Sequence, residues 1–348
     1  MNLKNILIIV FALALVGGII AAKKSKTVSS LSEVVASDPK CLTESSPLAC
    51  YEKFYADLVA KAGVEKAFAD LRTRYESDSF VRSQCHPLTH VLGNSAVKLY
   101  PQVSSAFSHG DAFCWSGYYH GVMEGIVGNV GEEKILAELN NICADIPGKA
   151  VYSFDYYNCV HGLGHGLMAL KNIELFESLE TCNTLVGGWE KSSCYSGVFM
   201  ENVIVDNKNH FTKYLKPSEP LYPCNAVADQ YKTSCYLMQT SYMLKVSGND
   251  FAKVFSLCRK SDKGYENLCF QSLGRDASGQ SVSNAEQTKA TCDLGASYDE
   301  KSNCVVGAVK DFISYYHSDI EAKNFCSILS EDLGKVCLDT AVAYYRSF

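Results

Sequence analysis

Several features are scarce or missing in this chain of 348 residues. Its 16 cysteines contain no C-x-x-C pair, which removes zinc ribbons, c-type haem attachment and thioredoxin-type redox motifs. None of its 18 asparagines opens an N-x-S/T acceptor, which fits a bacterial or archaeal origin better than a eukaryotic secretory one. There is no P-loop, no dinucleotide fingerprint and no Ser-His-Asp order, so those enzyme classes have no support. Basic charge is short as well. Four lysines (Lys4, Lys23, Lys24 and Lys26) lie in the first 26 positions, and the rest carries 28 basic against 38 acidic residues. No basic patch remains to neutralise phosphates, which excludes nucleic acid as a partner. Only one apolar run, residues 6–22, is long enough to reach across a bilayer, so a polytopic channel or transporter is excluded. At 47% hydrophobic residues the chain can fill a core, so it is not wholly disordered.

The apolar run follows Lys4 and reads either as a membrane anchor or as a signal-peptide core. Ala22 is a possible cleavage position, but Ile20 two places earlier is bulky for an A-x-A-like site. Either reading puts the rest of the chain outside the cytoplasm. The cysteines agree, because an even number with none in the leader fits disulfides, and disulfides persist in oxidising compartments. The expected location is therefore a bacterial or archaeal cell surface or periplasm, with the chain anchored in the membrane or secreted.

Fourteen of the cysteines fall into close pairs: 41/50, 143/159, 182/194, 224/235, 258/269, 292/304 and 326/337. Cys85 and Cys114 are left to pair with each other. From Cys159 onward the second members recur in steps of 33–35 residues, apart from one step of 41 that holds Pro217, Pro220 and Pro223. A period near 34 is the mark of stacked helical hairpins. Before the first cysteine of a pair stands a short amphipathic stretch with a polar start, as at Asn249 and Asp250 or at Ser318 and Asp319. After the second comes a longer apolar run. Each unit thus reads as helix, Cys, turn, Cys, helix. Closing an 11-residue loop contributes about 2–3 kcal/mol by the chain-entropy estimate.

The fold class expected is all-α: disulfide-stapled helical-hairpin repeats forming an α-solenoid or a curled α/α array behind an N-terminal membrane segment. In period and hairpin plan, residues 140–348 are similar to TPR-type and Sel1-like repeats. The likeness is architectural, since the TPR Trp-Leu-Gly/Tyr pattern and the usual Sel1 glycine pattern are absent. The expected division is a signal or anchor at 1–26, a polar tether at 27–40, a helical domain at 41–210 and Cys-paired repeats at 211–348.

Five of the eight histidines lie in three short motifs: His86 and His90 in CHPLTH, His120 with Glu124 in YHGVMEG, and His161 and His165 in CVHGLGHG. Each pair is spaced i,i+4, which places both side chains on one helical face and lets both bind one ion. Imidazole and carboxylate suit a transition metal, namely zinc, copper or iron. Pro87 points to His86 as a cap residue, with only His90 aimed along its helix. Gly117, Gly121 and Gly125 form one small-residue stripe, and Gly162 and Gly166 another. These stripes are expected to press the helix after Cys114 against the helix after Cys159. Trp115, Tyr118, Tyr119, Tyr156 and Tyr157 read as core or groove lining. Asp111 is a weaker carboxylate candidate, and His210 and His317 read as exposed histidines without a role.

The functional expectation is an extracytoplasmic metalloprotein, leaning to a metalloenzyme for metal-assisted hydrolysis or redox chemistry. Its metal ligands are expected among His86, His90, His120, Glu124, His161 and His165; Glu124 and Glu201 are the catalytic carboxylates, Glu124 as ligand or base and Glu201 as general base or as a support behind the ligands. The competing expectation is a non-enzymatic repeat scaffold that binds a protein or peptide. Residues 81–205 are expected to supply the site, and the repeats from Cys224 onward to complete the curved wall as scaffold or to supply that partner surface.

Overall fold

The computed structural model describes residues 40–204, 212–281 and 284–346. The apolar run at 6–22, the 27–39 part of the tether and His210 lie outside the described residues. Among the described residues no helix is long and apolar enough to cross a membrane, and the secondary structure is all helix, without strands.

The described residues form eighteen α-helices. The first six are α1 (Pro47–Ala62), α2 (Val64–Ser77), α3 (Ser79–Ser83), α4 (Cys85–Ala96), α5 (Val103–Ser108) and α6 (Gly117–Val130). The next six are α7 (Glu132–Glu138), α8 (Phe154–Leu170), α9 (Leu175–Cys182), α10 (Gly188–Val203), α11 (Asp229–Tyr236) and α12 (Thr240–Val246). The last six are α13 (Phe251–Cys258), α14 (Glu266–Gln280), α15 (Ala285–Cys292), α16 (Tyr298–Tyr316), α17 (Ile320–Ser327) and α18 (Glu331–Tyr345). Residues up to Cys50 and from Tyr51 onward form separate compact units. The Cys41–Cys50 disulfide belongs to the first unit, and everything described below belongs to the second.

All eight expected disulfides are formed, the seven close pairs and, as elimination left it, Cys85–Cys114. In α9/α10, α13/α14, α15/α16 and α17/α18 the bond ties the end of a short helix to the body of the next long one. Asp250 caps α13 by accepting from Lys253 N at 3.0 Å. At α17, Asp319 makes no such bond, and Ser318 Oγ accepts from Ile320 N at 3.1 Å instead.

The long helices pack in succession: α4 on α6, α6 on α8, α8 on α10, and α14 on α16 on α18. Three of these contacts share one crossing. A Cβ at Gly93 of α4 would collide with Tyr118 O, and one at Gly121 of α6 with His90 O. Gly164 and Gly197 meet Cys194 O and His161 O in the same way, and Gly274 and Gly307 meet Cys304 O and Gln271 O. Glycine costs about 1 kcal/mol inside a helix, and here it lets two backbones touch.

The expected partner of the 117/121/125 stripe is corrected by these contacts. Gly117, Gly121 and Gly125 face α4 (Thr89, His90 and Val97), not α8. The approach of α8 to α6 is made by Gly162 and Gly166, which lie on Met123 and Val127. Far along the chain, Tyr315 of α16 returns to the start of the unit, donating to Tyr75 OH at 3.1 Å and packing on Trp115.

Candidate metal centre

α4 begins at Cys85, so His86 occupies its first turn and Pro87 sits where a missing N–H costs nothing. His86 is therefore not a cap held apart from His90. The two Nε2 atoms are 3.1 Å apart. On α8 the second motif repeats this geometry, with His161 Nε2 and His165 Nε2 3.2 Å apart. His120 of α6 stands between the pairs. Its ring lies 4.6 Å from that of His165, 4.8 Å from His161 and 5.4 Å from His90.

Each Nδ1 in the two pairs has a partner. His90 Nδ1 is 2.8 Å from Glu124 Oε1, and His165 Nδ1 is 2.7 Å from Glu201 Oε2. His86 Nδ1 is 2.8 Å from the carbonyl of Cys114. That carbonyl is aimed by a left-handed turn, Cys114–Trp115–Ser116, with φ of 58°, 56° and 61°. Such a run costs roughly 1–2 kcal/mol per residue and persists only where the surroundings hold it, here the Cys85–Cys114 bond. His161 Nδ1 is 2.8 Å from Ser196 Oγ, and that hydroxyl also lies 2.7 Å from Ser193 O.

These partners fix three of the four tautomers. A carbonyl and a carboxylate can only accept, so Nδ1 carries hydrogen in His86, His90 and His165. His161 Nδ1 also meets the Tyr157 hydroxyl at 3.2 Å, and both hydroxyls beside it can donate or accept. In the neutral rings the Nε2 atoms of His86, His90 and His165 then present lone pairs, and in the first motif two lone pairs face each other. His120 adds a buried Nδ1 with no hydrogen-bond partner. Burial, reinforced by the neighbouring imidazoles, pushes the His120 and His161 rings far below the usual histidine range, and burial takes His86 down to about 3. These three rings thus resist protons.

The donor atoms form three overlapping groups that can hold a metal ion: His86, His90 and His120; His120, His161 and His165; and Glu124, His165 and Glu201. His109 and Asp111 are elsewhere. His109 stacks on Tyr100 beside Glu65, and Asp111 pairs with Arg72. His317 is exposed at the end of α16 against Phe154. Sequence reading misses Ser196, Tyr157 and the Cys114 carbonyl as partners of the ligand rings. The one signal for Ser196 is its place two residues after Cys194, matching His161 after Cys159.

His120 and His161 also line a cavity of about 620 Å³. Trp115, Phe154, Tyr157 and Trp189 give it an aromatic wall, and Gln271, Arg275, Lys310 and Asp311 line it as well. The chain beyond Cys224 thus lines the same cavity as the histidines.

Comparison of the chain with family models, curated proteins and solved structures finds no match.

Proposed function

We propose that the protein is an extracytoplasmic metalloprotein with two transition-metal positions. His86 and His90 hold one, His161 and His165 hold the other, and His120 lies between them. The observation that carries this reading is the two pairs of facing Nε2 atoms, 3.1 and 3.2 Å apart, in rings that are each held by a hydrogen-bond partner at Nδ1. Two imidazole nitrogens about 2.0–2.1 Å from one ion, at an angle of about 100°, lie about 3.1–3.2 Å apart. The carboxylate–imidazole bonds of Glu124 and Glu201 are the usual outer support of ligating histidines. They favour an orienting role for both carboxylates over that of a general base.

An ion held by His120 and His161 has a face toward the cavity, where it can polarise a substrate oxygen or activate water, or cycle electrons if it is copper or iron. The eight disulfides suggest an oxidising, extracytoplasmic setting. The apolar run at 6–22 is proposed as the anchor or signal. The recurrence of one glycine crossing in three helix pairs supports a curled array of hairpin repeats.

Elemental analysis of the purified protein tests the assignment. About two zinc, copper or iron ions per chain are expected. His90→Ala and His161→Ala should each remove one, and His109→Ala none. Wild-type protein that carries no metal and takes up none of the three would end this reading. Each pair would then be explained by a single proton shared between its two Nε2 atoms.

A further inference from the structure

The cavity has a second set of polar groups that the histidine cluster does not use. They come from the α14/α16 crossing, which has the same register as the α8/α10 crossing. In that register Gln271 takes the place of His161, Arg275 that of His165, and Asp311 that of Glu201. Lys310 takes the place that Glu124 holds at the α4/α6 crossing. The backbone arrangement that brings donor side chains together in one part of the unit therefore brings a different set together here.

Two of these groups are incompletely satisfied. Asp311 is only 5% exposed, and its Oδ2 has no hydrogen-bond partner. Its other bonds come from Ser278 and Trp115. Among the described residues Lys310 makes one hydrogen bond, to Gln271 Oε1 at 3.2 Å, and no carboxylate pairs with it. Arg275 differs from both. It is tied to Asp276, Ser241 and Leu237 O, so it serves as a fixed positive wall. Across the cavity Asn158 is 1% exposed and its Nδ2 also lacks a partner. A buried polar atom left unpaired costs about 1–3 kcal/mol, and several facing one cavity mark a place where a ligand supplies the missing partners.

We propose that Lys310 and Asp311 bind the polar head of a small amino- or hydroxy-carboxylate whose apolar or aromatic body lies on Trp115, Phe154, Tyr157 and Trp189. The ligand carboxylate takes the free donors of Lys310, and its amino or hydroxyl group donates to Asp311 Oδ2. The aromatic wall and the cavity volume suit a body of one or two rings. This rests on the cavity alone and stands whether or not the histidines hold metal. If they do, the cavity brings such a ligand to the ions.

Isothermal titration of the full-length, disulfide-bonded protein tests it, before and after chelator treatment. The probes are 3-phenyllactate for the hydroxy form and L-phenylalanine for the amino form, with 3-phenylpropionate and phenethylamine as controls. At least one of the first two should bind in both preparations. Phenylpropionate, which lacks the donor, should bind about tenfold more weakly or worse, and phenethylamine, which lacks the carboxylate, should not bind. Lys310→Met should abolish binding without lowering the melting temperature, since it removes a half-buried charge and keeps the reach of the chain. Lys310→Arg should retain part of the binding.

Silence from both probes at about 10 mM with folded wild-type protein would overturn the proposal, and so would equal binding to Lys310→Met. Loss of binding on chelation alone would move the ligand to the metal and also overturn it. Failure of the metal reading shows in elemental analysis and leaves these titrations unchanged.

Discussion

His165 Nδ1 donates to Glu201 Oε2 at 2.7 Å, and that bond points the ring's remaining lone pair at His161. Glu201→Gln keeps the shape but lets an amide N–H₂ face Nδ1, which turns the ring proton toward the metal side. Metal affinity should fall about 10–100-fold, read by competition with a chromophoric chelator. A second prediction at this scale concerns Asp311. Burial pushes its carboxyl up to about 7, with Asp276 adding to the shift and Ser278, Trp115 and Arg275 opposing it. The cation of Lys310 stands beside it in sequence. The unfolded value is about 3.9, so between about 4 and 7 the folded state holds more protons than the unfolded state. Stability therefore falls as pH rises through that window. Asp311→Asn should raise the urea midpoint at pH 8, with the gain shrinking toward pH 4.

At the scale of elements, glycine decides how closely helices approach. Gly197→Ala would drive a Cβ into the His161 carbonyl, and Gly307→Ala would do the same at Gln271. Each should cost about 1–3 kcal/mol, since backbone on both sides must give way. Only the first should lower metal content, because the α8/α10 crossing carries ligand residues and their supports and the α14/α16 crossing carries none. Thermal melts with metal analysis of both variants check this, and equal metal loss from both would break the link between crossing and site. Gly128 of α6 is the opposite case, exposed and with open space where a Cβ would go. Gly128→Ala should stabilise by about 0.5–1 kcal/mol, measured by denaturant unfolding.

Over the whole molecule, the staples join stability to the site. Most close loops of 9–16 residues, each contributing about 2–3 kcal/mol in the chain-entropy picture. Cys85–Cys114 closes 29 and also steadies the left-handed turn that presents the Cys114 carbonyl to His86. The double variant Cys85→Ser with Cys114→Ser should lose the ion at His86 and His90 and keep the one at His161 and His165. Removal of Cys326 and Cys337 should lower the melting temperature with full metal retained. Non-reducing peptide mapping should recover all eight pairs from protein taken from outside the cytoplasm. Mostly free thiols would refute the compartment.

Close cysteine spacing determined seven of the eight pairs, because a bond across a short loop is a local event; Cys85–Cys114, which closes 29 residues, followed by elimination. The i,i+4 motif likewise placed His161 with His165, since helical geometry sets that distance whatever surrounds it, whereas Pro87 pointed to His86 as a cap and only the structure joins it to His90. The leader lies outside the described residues and stays an expectation. Partners distant in the chain were not legible. Nothing local tells that Gly121 faces α4 or that Ser196 meets His161, and the repeat level of Glu201 marked it as a supporting or basic carboxylate without telling that its partner is His165. Nor does the sequence show that Lys310 and Asp311 share a cavity with His120 and His161. Those juxtapositions follow from how the long helices cross, which is set by side chains and glycines on both members of each pair. Spacing along one helix fixes which residues share a face; only the packing of that face decides what the residues meet.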